Sequence, residues 1–141
     1  MKKLLSVLFL LIFIGNGITT YASAYESATP YLNNSSNTSS AFLIDDNGNA
    51  EVMVQYWGIQ GVTTGATITT KIQKRFLLVF WNDVDIGTPN NEWIDESTAV
   101  SYSNVHSVSV PKGNYRVKIK YVIRGTNGSD DVIEKTIEAK Y

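Results

Sequence analysis

From residue 42 onward the chain reads as short runs of alternating apolar and polar residues separated by turn-forming clusters. Asp45 to Asn49 forms one such turn. Residues 51–57 then alternate, with Val52, Val54 and Tyr56 on one face, before Gly58, Gly61 and Gly65 break the run. Over 66–74, Ala66, Ile68, Thr70 and Ile72 share one face, and Thr67, Thr69, Lys71 and Gln73 the other. The cleanest alternation is 115–123, with Tyr115, Val117, Ile119, Tyr121 and Ile123 inward and Arg116, Lys118 and Lys120 outward. Residues 132–139 close the pattern with Ile133, Ile137 and Ala139 on one face. Successive side chains of a pleated strand point to opposite faces, so a period of two marks a half-buried strand.

Three further segments complete the set. Residues 76–81 (FLLVFW) are continuously apolar, as expected of a central strand covered on both sides, and the Gly-Thr-Pro-Asn-Asn loop at 87–91 follows. Residues 93–102 and 105–110 predict weaker strands, with a Pro-Lys-Gly-Asn turn at 111–114. About seven short strands, turns every 8–12 residues and no amphipathic helix predict an antiparallel β-sandwich over 42–141, with an up-and-down barrel as the alternative.

The N-terminal part has a different character. Lys2 and Lys3 precede an apolar run from Leu4 to Ile14, and Ala22-Ser23-Ala24 supplies an A-x-A exit. This predicts a signal peptide over 1–24, cut between Ala24 and Tyr25, and a secreted, extracellular protein. The apolar run is shorter than the roughly 20 residues a spanning helix needs, so no stable membrane insertion is expected after cleavage. Residues 25–41 are rich in Ser, Asn and Thr and read as a flexible spacer. The chain has no cysteine, which excludes a lipid-anchored N-terminal Cys and any disulfide. Without Lys2 and Lys3 it carries 10 basic and 13 acidic residues, a net charge of −3 that offers no overall footprint for nucleic acid or anionic lipid.

Residues 110–121 (VPKGNYRVKIKY) resemble the E–F corner and F strand of immunoglobulin-like and fibronectin-III-like domains. The resemblance makes Tyr115 the corner tyrosine, bonded back to its turn, and Trp81 a core tryptophan. The Cys pair of antibody-type domains is absent. Signal peptide, polar spacer and terminal sandwich together are similar to small secreted proteins of low-GC Gram-positive bacteria, a group with no assigned function. There the marks are a mid-domain Trp (here Trp93), a G-x-Y-R-V strand (Gly113 to Val117) and a Glu-bearing last strand (Glu134 or Glu138).

Candidate chemistry is sparse. A Ser-His-Asp arrangement would have to use His106, which lies on a Ser/Val strand and is expected at a surface or edge. Glu92, Asp95 and Glu96 beside Trp93 could serve a glycoside hydrolase, or simply bound a loop. Asp45-x-Asn47-x-Asn49-x-Glu51 spaces oxygen donors like a calcium loop but lacks the glycine and glutamate such loops need; Asn82, Asp83 and Asp85, and Asp130-Asp131, are two more oxygen-rich turns, and for all three ordinary turn chemistry is preferred over calcium held between end loops of the sandwich. No metal or cofactor is expected. Trp57 and Trp93, at strand ends, either complete the core, the preferred reading, or are the candidate ligand-binding residues, since exposed rings on a sheet stack on sugars or protein. The function this composition favours is a secreted, non-enzymatic binding module at or outside the cell envelope, facing cell-wall glycan or an extracellular protein. The alternatives are a secreted antagonistic factor and a small glycan hydrolase using the loop carboxylates.

Overall fold

In the computed structural model, which describes residues 23–26 and 32–141, nine strands form two antiparallel sheets. In chain order they are β1 (Ser23–Glu26), β2 (Ser35–Ile44), β3 (Asn49–Gly58), β4 (Thr63–Phe76), β5 (Phe80–Asp83), β6 (Trp93–Ser97), β7 (Ser101–Ser109), β8 (Asn114–Gly125) and β9 (Asp131–Lys140). One sheet has the order β1-β9-β8-β4-β5, and β6 also pairs with β4; the other is β2-β3-β7. The second sheet matches the A, B and E strands of an immunoglobulin-like sandwich, while β4, β8 and β9 match C, F and G, with β5 as C′. The fold is an all-β, immunoglobulin-like sandwich.

The alternating runs supply its core. Val52, Val54 and Tyr56 of β3 meet Ile68 and Ile72 of β4 and Val117, Ile119, Tyr121 and Ile123 of β8, all buried. Polar pins then fix the sheets to each other. The Tyr121 hydroxyl donates to the Ser39 carbonyl at 2.8 Å and lies 2.6 Å from Ser40 Oγ, joining β8 to β2. Burial pushes that phenol up to about 12. Tyr115, also buried, donates its hydroxyl to the Pro111 carbonyl and so closes the turn between β7 and β8.

The domain begins earlier than Phe42. Residues 35–41, expected to belong to the spacer, are the first part of β2 and pair with β3 from Ser35↔Gly58 to Ala41↔Met53. The cause lies far along the chain. Buried Asp131 accepts hydrogen bonds from the Asn33 amide (2.6 Å), the Asn34 amide (3.0 Å) and Ser35 Oγ (2.7 Å). Asn34 itself donates to the Ser129 carbonyl at 2.8 Å. A polar segment that cannot order itself by burying apolar surface is ordered here by a buried carboxylate and a strand partner.

Two other expectations change. The stretch 93–102 is split between sheets, with β6 on β4 and β7 on β3. The run 76–81 is not a covered central strand: it is the end of β4, a turn at 77–79 and the start of β5. Residues 1–22, with Ala22 of the signal peptide, lie outside the described residues. β1 crosses the expected cleavage point, pairing Ser23↔Glu138, Ala24↔Ile137, Tyr25↔Thr136 and Glu26↔Lys135. Cleavage before Tyr25 would leave the last two pairs on the exported chain.

Candidate functional site

β4 is 14 residues long and pairs with β8 only as far as Lys74↔Tyr115. Its last residues and β5 therefore run past the end of the sandwich as a two-stranded hairpin, with Phe76 opposite Phe80. Ile72 is buried between the sheets, and Phe76, four residues on, continues the same face beyond the point where any of the described residues covers it. Phe76, Leu77, Leu78, Val79 and Phe80 are consequently 55–86% exposed.

This tip departs from ordinary hairpin chemistry. Turns of this kind favour Gly, Asn, Asp or Pro, which supply left-handed backbone or local hydrogen bonds. Here Leu77 takes the left-handed conformation (φ 50°) with none of those residues in the turn. A leucine is strained there and wasted in water. Burying one such side chain stabilises by roughly 1.5–3 kcal/mol, so five left mostly in solvent forgo on the order of 7 kcal/mol. Among the described residues the other large exposed apolar side chains, Trp57, Ile59, Ile94, Val105 and Val132, are scattered along the chain.

Below the tip, the outward face of the hairpin is tied to the sheet. Trp81 pairs across the strands with Arg75, whose guanidinium lies 4.9 Å from the ring centroid; that of Arg116 on β8 lies 4.4 Å from it. Arg116 Nε donates to Gln73 Oε1 at 2.7 Å, Gln73 donates to Asp83 at 2.8 Å, and Lys71 bridges Asp83 (3.1 Å) and Glu92 (3.2 Å). The Asp83 carboxyl is held below its usual range, chiefly by the Gln73 hydrogen bond, and Lys71 is raised by its bonds to Asp83 and Glu92. Lys74 sits 5.8 Å from the Tyr115 ring. From Ile72 to Asn82 every charged side chain is positive. The arrangement is a braced finger with an apolar end and a basic, aromatic collar. Trp81, expected as a core tryptophan, belongs instead to that collar.

Of the other residues singled out from sequence, Trp93, Asp95 and His106 come together between β6 and β7, whereas Trp57 and Glu96 lie apart from them and from the hairpin. Trp93 packs against the core, and its ring stacks on His106 at 4.8 Å with 6° between planes. Trp57 is 36% exposed at the far end of β3, pairing with Ser101 and Asn37. The two rings share no face. Asp95 points inward from β6, where Oδ1 accepts from Tyr102 (2.9 Å) and Asn104 (2.7 Å) while Oδ2 lies 2.6 Å from His106 Nε2. Its neighbour Glu96 is exposed on the opposite side, and Glu92 is bound by Lys71, so the three carboxylates address no common space. His106 is on an edge strand, as expected, but its ring is turned inward and closes a clasp between β6 and β7.

The acidic turns are occupied by the protein's own donors. Asp45 caps the Asn47 and Asn49 amides, Asp85 accepts from the Gly87 amide, and Asp131 holds the start of β2. Among the described residues no group of three or more His, Asp or Glu side chains could hold a metal ion. A shallow depression of about 580 Å³ beside the hairpin base, lined in part by Thr69, Lys71, Lys118 and Glu134, is open and mixed in charge. No protein-family model matches this chain, and no curated protein shows significant similarity to it.

The hairpin tip carries a single sequence signal, and that signal is ambiguous. A run of six apolar residues without a polar partner fits a doubly covered strand as well as an uncovered turn. The Asp95 clasp did leave a trace: Tyr102, Asn104 and His106 recur at every second position, as do Trp93 and Asp95.

Proposed function

We propose that the protein is an exported, non-enzymatic docking module that acts at or outside the cell envelope, with the β4–β5 hairpin as its contact element. The observation that carries this reading is the run of five large apolar side chains, 55–86% exposed on a hairpin whose base is braced by Arg116, Gln73, Asp83 and Lys71. Apolar surface of that continuity on a soluble domain marks a contact site. Export is supported by the pattern of residues 1–24, and the non-enzymatic reading by carboxylates and a histidine already spent on structural hydrogen bonds.

The test is fractionation of an exporting host that expresses the wild-type chain or Leu77→Ser/Leu78→Ser. The wild type is expected to be enriched in the envelope fraction and the variant in the medium. The same distribution for both would remove the hairpin as the contact element.

A further inference from the structure

Resting on that docking role, we infer that the occupant of the tip is a lipid bilayer with anionic headgroups, entered by residues 76–80 to the depth of the headgroup–acyl boundary. Three features of the hairpin favour this over other occupants. The first is its chemistry. Phe76 to Phe80 carry no hydrogen-bonding side chain, and a convex finger without one has nothing with which to orient itself in a protein pocket. A fluid acyl boundary asks for none.

The second is the collar. Trp81 lies just behind the tip with the guanidinium groups of Arg75 and Arg116 at 4.9 and 4.4 Å, and Lys74 is the next cation along β4. Tryptophan and basic residues at that level are what the interfacial zone of a membrane accommodates: the indole at the headgroups, the cations against phosphate. The same cations oppose a tip-to-tip dimer, which would bring like charges together around the apolar contact. The net charge of −3 expected for the processed chain offers anionic lipid no overall attraction, but the local distribution decides. Residues 72–82 carry two positive charges and no negative one, and Asp83 just beyond them is neutralised by Lys71.

The third is reach. From Phe76 to Leu78 is two residues, at most about 7 Å of backbone given the left-handed turn at Leu77, which keeps the tip within the roughly 5–10 Å that interfacial elements enter. Deeper entry is opposed by the backbone. Among the described residues β5 pairs with β4 alone, so its other edge needs water. The hairpin therefore lies in the membrane surface and does not cross it.

The experiment uses protein recovered from an exporting host, comparing only chains with the same N-terminus so that any contribution of residues 1–22 is common to all. Sedimentation with phosphatidylcholine vesicles is compared with vesicles containing phosphatidylglycerol. The wild type is expected to bind the anionic vesicles with a blue-shifted tryptophan emission that Trp81→Phe loses. Leu77→Ser/Leu78→Ser is expected to bind about a hundredfold more weakly, roughly tenfold per leucine. Arg75→Gln is expected to bind about fivefold more weakly at low salt. Thermal midpoints confirm that each variant is folded. Equal binding by wild type and the leucine variant, or no binding at all, overturns the bilayer assignment; equal binding to both vesicle types overturns its anionic part. If vesicles fail, self-association or envelope-fraction retention that the leucine variant loses keeps the docking role with a different occupant. Loss of all three overturns that role as well.

Discussion

Asp95 gives the account its sharpest energetic test. It is 7% exposed, sits on β6 of one sheet and takes three partners, Tyr102, Asn104 and His106, all from β7 of the other. A hydrogen bond to an ionised group contributes about 1.5–3 kcal/mol, and such bonds to one carboxylate are not additive. Tyr102 and His106 retain some solvent access and recover part of the loss through water. Asp95→Ala is therefore expected to cost about 3 kcal/mol, toward the low end of what breaking a buried ion pair costs. For a domain of this size that lowers the thermal midpoint by roughly 12 °C. Asp95→Asn, which keeps the shape and one acceptor, should cost about half as much.

The pH dependence follows with a definite sign. Burial opposes ionisation of Asp95 most strongly, but the hydrogen bonds from His106, Asn104 and Tyr102, with the charge of His106, outweigh it and hold the carboxyl below its ordinary value. A carboxyl depressed in the folded state stabilises the fold above its unfolded value, near 3.9, and loses that contribution as pH falls through the lower folded value. The stability difference between wild type and Asp95→Asn, measured by urea unfolding from pH 5 downward, where Asp95 is the member of the pair that titrates, should hold to about pH 4 and shrink below it. An Asp95→Ala cost under about 1 kcal/mol, or a difference that does not shrink in acid, would refute the clasp as a stabilising link between the sheets.

Two further predictions follow from the pins. Asp131→Ala should destabilise by about 3 kcal/mol and, more specifically, speed amide exchange at Asn33 and Asn34 and along the early residues of β2; unchanged exchange there would mean that the segment is ordered by something else. Tyr121→Phe removes the hydroxyl shared by Ser39 and Ser40 and should cost about 1–2 kcal/mol in urea unfolding with an unchanged m-value; a neutral effect would show that the sheets are held by apolar packing alone.

The parts of the fold legible in the sequence are those where one side chain in two is buried. β3, β4 and β8 each carry that alternation, so their inward residues were identifiable, and the Pro111–Gly113 turn with Tyr115 marked the corner. Segments whose order comes from elsewhere were not legible. Ser35 to Ser40 has the composition of a flexible linker, and its partner Asp131 stands 96 residues away from Ser35. The hairpin tip was hidden for a different reason. Hydrophobicity says that a residue prefers contact with apolar matter, not whether the protein itself supplies that matter. Only the register of β4, which outruns β8 at Lys74, shows that none of the described residues does.

The most direct measurement is hydrogen exchange of the protein with and without isolated cell envelopes, read residue by residue. New protection is expected, with sharp changes confined to residues 75–81, while the outer face of β3 around Trp57 is unaffected. Protection centred on Trp57, or none at the hairpin while the protein is bound, would contradict the hairpin as the contact element.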